Sequence, residues 1–328
     1  MKAFVLRSFG SPDALELTDL DTPVPGDTEV LVRVRATSVQ PYDWHHMRGE
    51  PRVARLMGGG VGLRRPSIPV LGADIAGEVE AVGKDVTEFR PGDEVFAMSM
   101  RGGFAEYATV QESKLAAKPE SLSFEEAAAI PMAAITALMA VRDQGQVQPG
   151  QQVLVNGASG GVGTFAVQLA KAFGAEVTGV CGPRNTGLVR SIGADHVIDY
   201  TKEDFTRQKR RYDVVLDIAG NHPGRAYRRV LARKGTCVVV GGRASRWLEP
   251  AGHAFATIAM GAFVSQRMRL TEVGSCKESK QNLITLSELA EEGKVIPVID
   301  RSFPFEQIPA AVRYQEEGHS RGKVVVTI

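Results

Sequence analysis

The sequence predicts an α/β protein in two parts, a doubly wound parallel sheet joined to an antiparallel, barrel-like β domain. Three observations carry this expectation. The stretch Val153-Leu-Val-Asn-Gly-Ala-Ser-Gly-Gly-Val-Gly163 runs a β-branched strand into a glycine turn, and an amphipathic helix follows with Phe165, Val167, Leu169, Ala170 and Phe173. Downstream, short apolar runs bounded by turn residues alternate with helical segments, as buried parallel strands do. Upstream of roughly residue 120, short strands are punctuated by Gly and Pro instead.

In chain order, Met1 to Gly10 starts as a strand, and Glu29 to Arg35 and Gly77 to Val82 alternate apolar with polar residues, the pattern of half-buried antiparallel strands. The glycine-rich piece Met57 to Pro66 follows no strand and reads as a loop between domains rather than a phosphate loop. From Phe124 the pattern changes: Glu125 to Val141 reads as helix, Glu176 to Val180 as the second parallel strand, and Ala194 to Asp199, Asp213 to Asp217 and Thr236 to Val240 as further ones. Lys277 to Glu292 reads as a helix and Gly322 to Ile328 as a closing strand. The resulting expectation is a first domain over 1–123, a second over 124–294, and a return of 295–328 to the first.

Composition narrows the function. With 328 residues, 43% hydrophobic content and 35 glycines, the chain is long enough for two domains with ordinary cores. A net charge of +1 with both signs interspersed argues against a nucleic-acid or membrane surface as the main partner, and the runs Lys209 to Arg211 and Arg225 to Lys234 read as solvated helix faces. Cys181, Cys237 and Cys276 have no paired spacing, so neither a disulfide framework nor a four-thiolate zinc lobe is expected, and a reducing cytoplasm fits. The amino terminus lacks the apolar run of a signal peptide, and no apolar run approaches the roughly 18 residues of a membrane span.

Gly157, Gly160 and Gly163 stand at G-x-x-G-x-x-G spacing, with Gly161 inside it. Each removes a Cβ where the chain turns sharply, where a phosphate approaches, or where helix meets sheet. The N–H groups of Ala158, Ser159, Gly160, Gly161 and Val162 then face an anion at the positive end of a helix, the arrangement that holds a dinucleotide pyrophosphate. After the second strand the chain reads Val180-Cys-Gly-Pro-Arg-Asn185, so Gly182 and Arg184 stand where a carboxylate would accept from a ribose 2′-hydroxyl. The missing acid and the Arg184 guanidinium select a 2′-phosphate, and so NADPH over NADH.

Pro69 to Val95, which contains Gly72-Ala-Asp74 and Arg90-Pro-Gly-Asp93, resembles the signature of the medium-chain dehydrogenases/reductases, in their zinc-independent quinone oxidoreductase branch. Gln40-Pro-Tyr-Asp-Trp44, Ala127 to Thr136, Ile198-Asp-Tyr200 and Gly318 to Val325 are also similar, in the family's order. The resemblance implies a GroES-like catalytic β-barrel domain, a Rossmann domain, a cleft between them and a homodimer formed through the Rossmann sheet edge. It further implies Thr136 facing the nicotinamide, Tyr200 beside the adenosine 2′-phosphate, and Gly241 and Gly242 giving the nicotinamide ribose access to the sheet edge. Lys323 and Arg321 would reach the cofactor or sit on the surface.

Zinc-dependent relatives place a cysteine within the segment matching Ser38 to Asp43 and a histidine where Gly72-Ala-Asp74 stands. Both are absent, and His45 and His46 are adjacent rather than at ligand spacing, so no metal is expected. Without a Lewis acid, hydride acceptors that spread charge by conjugation are favoured, which selects quinones, enones and enals. Gln40 stands where relatives carry an Asn whose amide points toward the nicotinamide ribose or the substrate, which the resemblance implies for Gln40 as a catalytic residue; Asp43 reads as a helix-capping residue, and Tyr42 and His45 are candidates for substrate contact in the same site. The alternatives are an enoyl-thioester reductase and an NADPH-binding sensor or structural protein without turnover.

Overall fold

The computed structural model describes residues 1–52, 55, 62–242, 265–271, 278–318 and 320–328. The Met57 loop expectation therefore lies largely outside the described residues, as does most of the loop after Gly242. The chain forms two compact units, one of Met1–Met132, Lys277–Gly293 and Pro297–Ile328, the other of Ala133–Cys276 and Lys294–Ile296.

The first unit opens with the antiparallel pair β1 (Lys2–Leu6) and β2 (Leu15–Asp19). Its central strand is β3 (Glu29–Val39), in which Val30, Val32 and Val34 are buried while Arg33 and Arg35 point outward. These arginines pair across the sheet with Glu80 and Glu78 of β4 (Asp74–Val82), at 2.9 and 3.4 Å. The short helix α1 (Pro41–Arg48) lies between them in sequence, and β5 (Glu94–Met98), β6 (Tyr107–Gln111) and β7 (Leu115–Ala117) follow. Val30, Val32, Ile75, Val79, Val95 and Leu115 close one core of this unit.

The helix expected over Glu125 to Val141 is divided. It forms as α2 (Phe124–Ala129) and α3 (Pro131–Leu138), with a π turn over Met139–Gln144. Pro131 has no N–H to donate and its ring crowds the preceding turn, so the helix ends at Ile130 and restarts with proline in its first turn.

The second unit is an all-parallel six-stranded sheet in the order β10-β9-β8-β11-β12-β13. Its strands are β8 (Gln152–Asn156), β9 (Glu176–Cys181), β10 (His196–Asp199), β11 (Tyr212–Asp217), β12 (Leu231–Val239) and β13 (Arg267–Leu270). Helices α4 (Gly161–Ala172), α5 (Thr186–Ser191) and α6 (Gly224–Val230) make three of the crossovers. Strand order reverses between β8 and β11, the switch point at which doubly wound sheets bind ligands outside their carboxyl ends. Leu154, Val180, Val215 and Tyr227 pack beneath it.

The helix α7 (Ser279–Glu291) falls in the first unit, whereas the sequence expectation ran the second domain to residue 294. Its buried Leu283 and Leu286 supply the apolar face, and Lys280 reaches Glu88 at 2.7 Å and lies over the Phe89 ring. Periodicity identifies such a helix but not the sheet it covers. Strand β14 (Ile299–Pro304), helix α8 (Ile308–Glu316) and strand β15 (Lys323–Thr327) complete the first unit. Its large sheet has seven strands in the order β14-β15-β3-β4-β5-β7, with β6 also on β3. The pair β15 and β3 is antiparallel, from Val324 opposite Val39 to Thr327 opposite Ala36, while α8 makes the crossover that leaves β14 and β15 parallel. Among the described residues no helix is long and apolar enough to cross a membrane.

Candidate functional site

In the second unit the chain leaves β8 through Gly157, held at φ +93°, a left-handed conformation that side chains disfavour. A Cβ on Gly163 would stand 2.0 Å from the Gly157 carbonyl oxygen, so the first turn of α4 lies directly on the strand end only because residue 163 has none. The N–H groups of Gly157 and Ala158 are spent on the Val180 carbonyl, and that of Gly160 on the Gly157 carbonyl. Gly160 is the N-cap of α4 and no side chain caps the helix, whose first turn contains no acid. The early N–H groups, Gly161 to Gly163, therefore lack a side-chain partner at the positive end of a 12-residue helix. Ser159 lies within this turn, and Val162 and Gly161 are half-buried at its rim.

Beside the turn, the ends of β9 and β10 bring two expected residues together. Gly182 leaves room for the Tyr200 ring, whose hydroxyl would be 3.2 Å from a Cβ there, and Tyr200 is 60% exposed. Arg184 is exposed one turn further on, and no carboxylate follows β9. Asp199, opposite Cys181 at the end of β10, is turned onto the Thr201 N–H and hydroxyl at 3.0 and 2.7 Å. Asn185 donates to Ser159 Oγ at 2.9 Å, tying this loop to the glycine turn, and its Oδ1 is buried without a partner.

Sequence reasoning missed the brace under the switch point. Asn156 and Asp217 stand opposite each other in register at the ends of β8 and β11. Asn156 Nδ2 reaches Asp217 Oδ1 at 3.0 Å, Asn221 Oδ1 at 2.8 Å and Tyr227 Oη at 3.1 Å, while Gly220 N–H donates to Asp217 Oδ1 at 2.9 Å. Burial and the neighbouring Asp217 push the Tyr227 hydroxyl far above its ordinary value, so it stays protonated. The brace fixes the Gly220 turn, against which the expected Gly241 and Gly242 pack; a Cβ on Gly220 would be 2.3 Å from Gly242 Cα. The legible signal was a polar residue ending each of two apolar strands, Val153-Leu-Val-Asn156 and Val214-Val-Leu-Asp217. Thr136 is buried on α3.

In the first unit Gln40 is the N-cap of α1 and 4% exposed. Both ends of its amide are engaged: Nε2 donates to Asp74 Oδ2 at 2.9 Å and Oε1 accepts from Lys323 Nζ at 3.1 Å. Lys323, expected to reach the cofactor or the surface, is 3% exposed, and its ammonium lies 3.7 Å from Asp74. A strand position whose side chain points inward accounts for this, and the lysine is tolerated there because its charge is matched. Arg321, two residues earlier, is exposed. Asp74 also accepts from Ser38 Oγ at 2.8 Å and from the Met132 N–H at 3.0 Å. Asp43 accepts from the Gln40 and Gly72 N–H groups, so its carboxylate caps the helix it sits in. Burial pushes the Asp43 carboxyl up to about 7, against those two donors, and raises Asp74 as well; burial likewise lowers Lys323.

Tyr42 and His45 do not join this network. The Tyr42 ring lies 4.0 Å from that of His46, and burial lifts its hydroxyl to about 12. His45 stacks on Trp44 at 3.8 Å, and burial lowers it to about 4, so it is neutral near pH 7. Its Nδ1 lies 3.0 Å from the Glu50 carbonyl, which only accepts, so the proton is on Nδ1 and Nε2 is an acceptor.

Comparison with known proteins decides the family. Residues 26–120 match the family model described as the alcohol dehydrogenase GroES-like domain, and residues 192–326 that of the zinc-binding dehydrogenases. A chloroplastic quinone oxidoreductase of Triphysaria versicolor is 33% identical over 99% of this chain and 98% of its own. The chain belongs to the quinone oxidoreductase family of the medium-chain dehydrogenases/reductases. It is an oxidoreductase, of a family of NAD(P)H oxidoreductases. The 2-methylene-furan-3-one reductase of Solanum lycopersicum is also 33% identical, over 99% of this chain and 79% of its own. The solved quinone oxidoreductase of Coxiella burnetii is 31% identical with a TM-score of 0.85, covering 100% of this chain and 99% of its own. The fold is thus the Rossmann sheet with a GroES-like domain.

Two outcomes follow from this geometry. Gly163→Ala should lower dinucleotide affinity on the order of tenfold or more and lower the melting temperature, because the new methyl meets a backbone oxygen. Gly160→Ala, whose Cβ meets nothing nearer than 3.7 Å, should melt like the parent; equal melting of all three proteins would contradict the close approach.

The second outcome concerns pH. With Asp43 lifted to about 7, the folded chain keeps a proton that the unfolded chain has released, so this group's stabilisation is full below the ordinary carboxylate range and is lost as pH rises to about 7. His45, lowered to about 4, works the opposite way, its contribution being present above the ordinary imidazole range and lost on acidification. The informative quantity is therefore the parent's stability minus that of Asp43→Asn. Measured in urea, that difference should fall between pH 5 and 8; a rise would show that Asp43 is ionised throughout.

Proposed function

We propose that this protein is a zinc-independent, NADPH-dependent reductase of quinones or α,β-unsaturated carbonyls. The observation that carries the reading is the surface built at the ends of β8, β9 and β10: an uncapped helix terminus beside an exposed Arg184 and Tyr200, with no acid to accept from a ribose 2′-hydroxyl. The cradle fits the dinucleotide, since Cβ atoms at Gly157, Gly163 and Gly182 would fill it. The Gly161 to Gly163 N–H groups would hold the pyrophosphate, Arg184 and the Tyr200 hydroxyl the 2′-phosphate, and Gly241 and Gly242 the approach of the nicotinamide ribose. When bound, NADPH supplies the hydride.

The donor set in the first unit does not fit the zinc named for part of this family. Where zinc-dependent relatives hold their metal, Asp74 already receives Ser38, Gln40 and the Met132 N–H, and the Lys323 ammonium stands beside it as counter-charge. His45 and His46 have their Nδ1 atoms committed to the Glu50 and Tyr42 carbonyls. Soft ligands are missing from the segment, as the sequence showed. An acceptor whose negative charge spreads onto an enolate or hydroquinone oxygen suits such a protein, because a hydrogen bond can meet that charge. Tyr42, protonated at all physiological pH, is the donor we assign to it. His45 offers an acceptor at Nε2 rather than a proton. Gln40 and Lys323 act by positioning α1, not by touching the reacting atoms.

The relatives named for quinones and for a furanone support the substrate class. The outer edge of β13, the last strand of its sheet, supports a homodimer formed there. The free, buried Cys181 and Cys237 suit a reducing cytoplasm.

One assay tests the core of this reading. With a quinone or an enone in excess chelator, NADPH oxidation should proceed at the full rate and NADPH should bind more tightly than NADH. Arg184→Ala should weaken NADPH about tenfold or more and NADH little, since only the former has the phosphate to lose. Loss of activity in chelator, or equal affinities of the parent for both cofactors, would overturn it.

A further inference from the structure

The second unit has a second face on which charge is concentrated. Arg211, Arg225, Arg228, Arg229 and Arg233 line a concavity of about 610 Å³ together with Leu231 and Gln266. All five arginines are exposed, and among the described residues no carboxylate pairs with any of them. Arg211 donates only to carbonyls of its own turn, at 3.1 to 3.4 Å. The adjoining Arg210 differs, being held by Glu176 and Gln152. Asp213, the nearest acid in sequence, is used by the Gln152 N–H at 2.9 Å. Gln266 Oε1 is buried and has no partner.

This concavity is not the dinucleotide cradle. Arg211 precedes β11, Leu231 and Arg233 begin β12, and Gln266 precedes β13, so it lies at the amino ends of the parallel strands. The glycine turn, Arg184 and Gly241 all follow carboxyl ends, at the opposite edge of the same sheet. A chain whose net charge is only +1 gathers here a positive excess that nothing described neutralises.

We propose that this concavity is a second anion site that takes a compact polyphosphate, a pyrophosphate or triphosphate group, free or carried on a nucleotide. Five planar guanidiniums converging on one space match adjacent phosphates, whose oxygens accept paired N–H donors. Its volume lies in the range of small-ligand sites. The lining has no aromatic ring on which a nucleic-acid base would stack and no exposed apolar side chain to enter a lipid surface. The unpartnered Gln266 carbonyl is an acceptor for a hydroxyl or a protonated phosphate oxygen of the same ligand.

The test is calorimetric titration of the whole protein with sodium tripolyphosphate, with and without saturating NADPH. One site per chain should bind in both, weaken steeply with salt, and lose about tenfold or more affinity in Arg228→Ala/Arg229→Ala while NADPH affinity stays within about twofold. Arg225→Gln/Arg233→Gln, changed on exposed side chains, should give the same loss should the first variant fold poorly. Absence of binding, displacement by NADPH, or affinity indifferent to both variants would overturn the proposal. So would binding of single-stranded RNA or anionic vesicles by the same arginines with no binding of tripolyphosphate.

Discussion

The approach of Gly163 to the Gly157 carbonyl is the constraint on which the second unit is organised. Because a methyl at residue 163 would stand 2.0 Å from that oxygen, the helix α4 can begin directly on the end of β8 and turn its uncapped N–H groups outward. The neighbouring turns then follow from strand register. Asn156 lies opposite Asp217, so the two polar ends meet, hold the Gly220 turn and set Gly242 against it. On the proposed function, cofactor affinity would come from backbone groups and Arg184 and depend little on any catalytic side chain.

The first unit rests on a different interaction, the burial of Lys323 with Asp74. An ion pair withdrawn from water gains little net stability over an apolar pair of the same shape, yet losing one partner is costly because the other charge is left alone. Its consequence is specificity of assembly: the ion pair ties β15 to β4 across β3, and Gln40 joins α1 to both of those strands. The chain thereby buries an ammonium beside a hydrogen-bonded carboxylate, the arrangement on which the proposed zinc-independence rests. Hydride transfer to acceptors that stabilise their own charge is the chemistry proposed for it.

Much of this was legible in the sequence. Strand-turn-helix patterning and glycine spacing gave the parallel sheet and the cradle, since both follow from local rules. The missing acid after β9 was read from the residue at the strand end, and Gly182 and Tyr200 do lie together there, with Arg184 exposed in the turn after Gly182. What was illegible depended on tertiary partners. Gln40 read as an amide directed at the nicotinamide ribose or the substrate, because the lysine that holds it lies 283 residues away. The helix α7 carried no mark of which sheet it covers, and the Arg225 to Lys234 run looked like a solvated face until Arg211 and Gln266 were seen to close a concavity around it. Pro131 was visible in the sequence as a helix breaker, and there the periodic pattern was simply given too much weight.

The proposed reaction passes hydride from a nicotinamide to a conjugated carbon. Reduction of an enone with NADPH deuterated at the nicotinamide C4 tests it most directly, with the product examined by mass spectrometry and NMR. One deuterium is expected at the β-carbon of the product, delivered from a single face of the nicotinamide, with a proton from solvent at the α-carbon. Deuterium on a carbonyl carbon, or no transfer from either face to any quinone or enone, would contradict it.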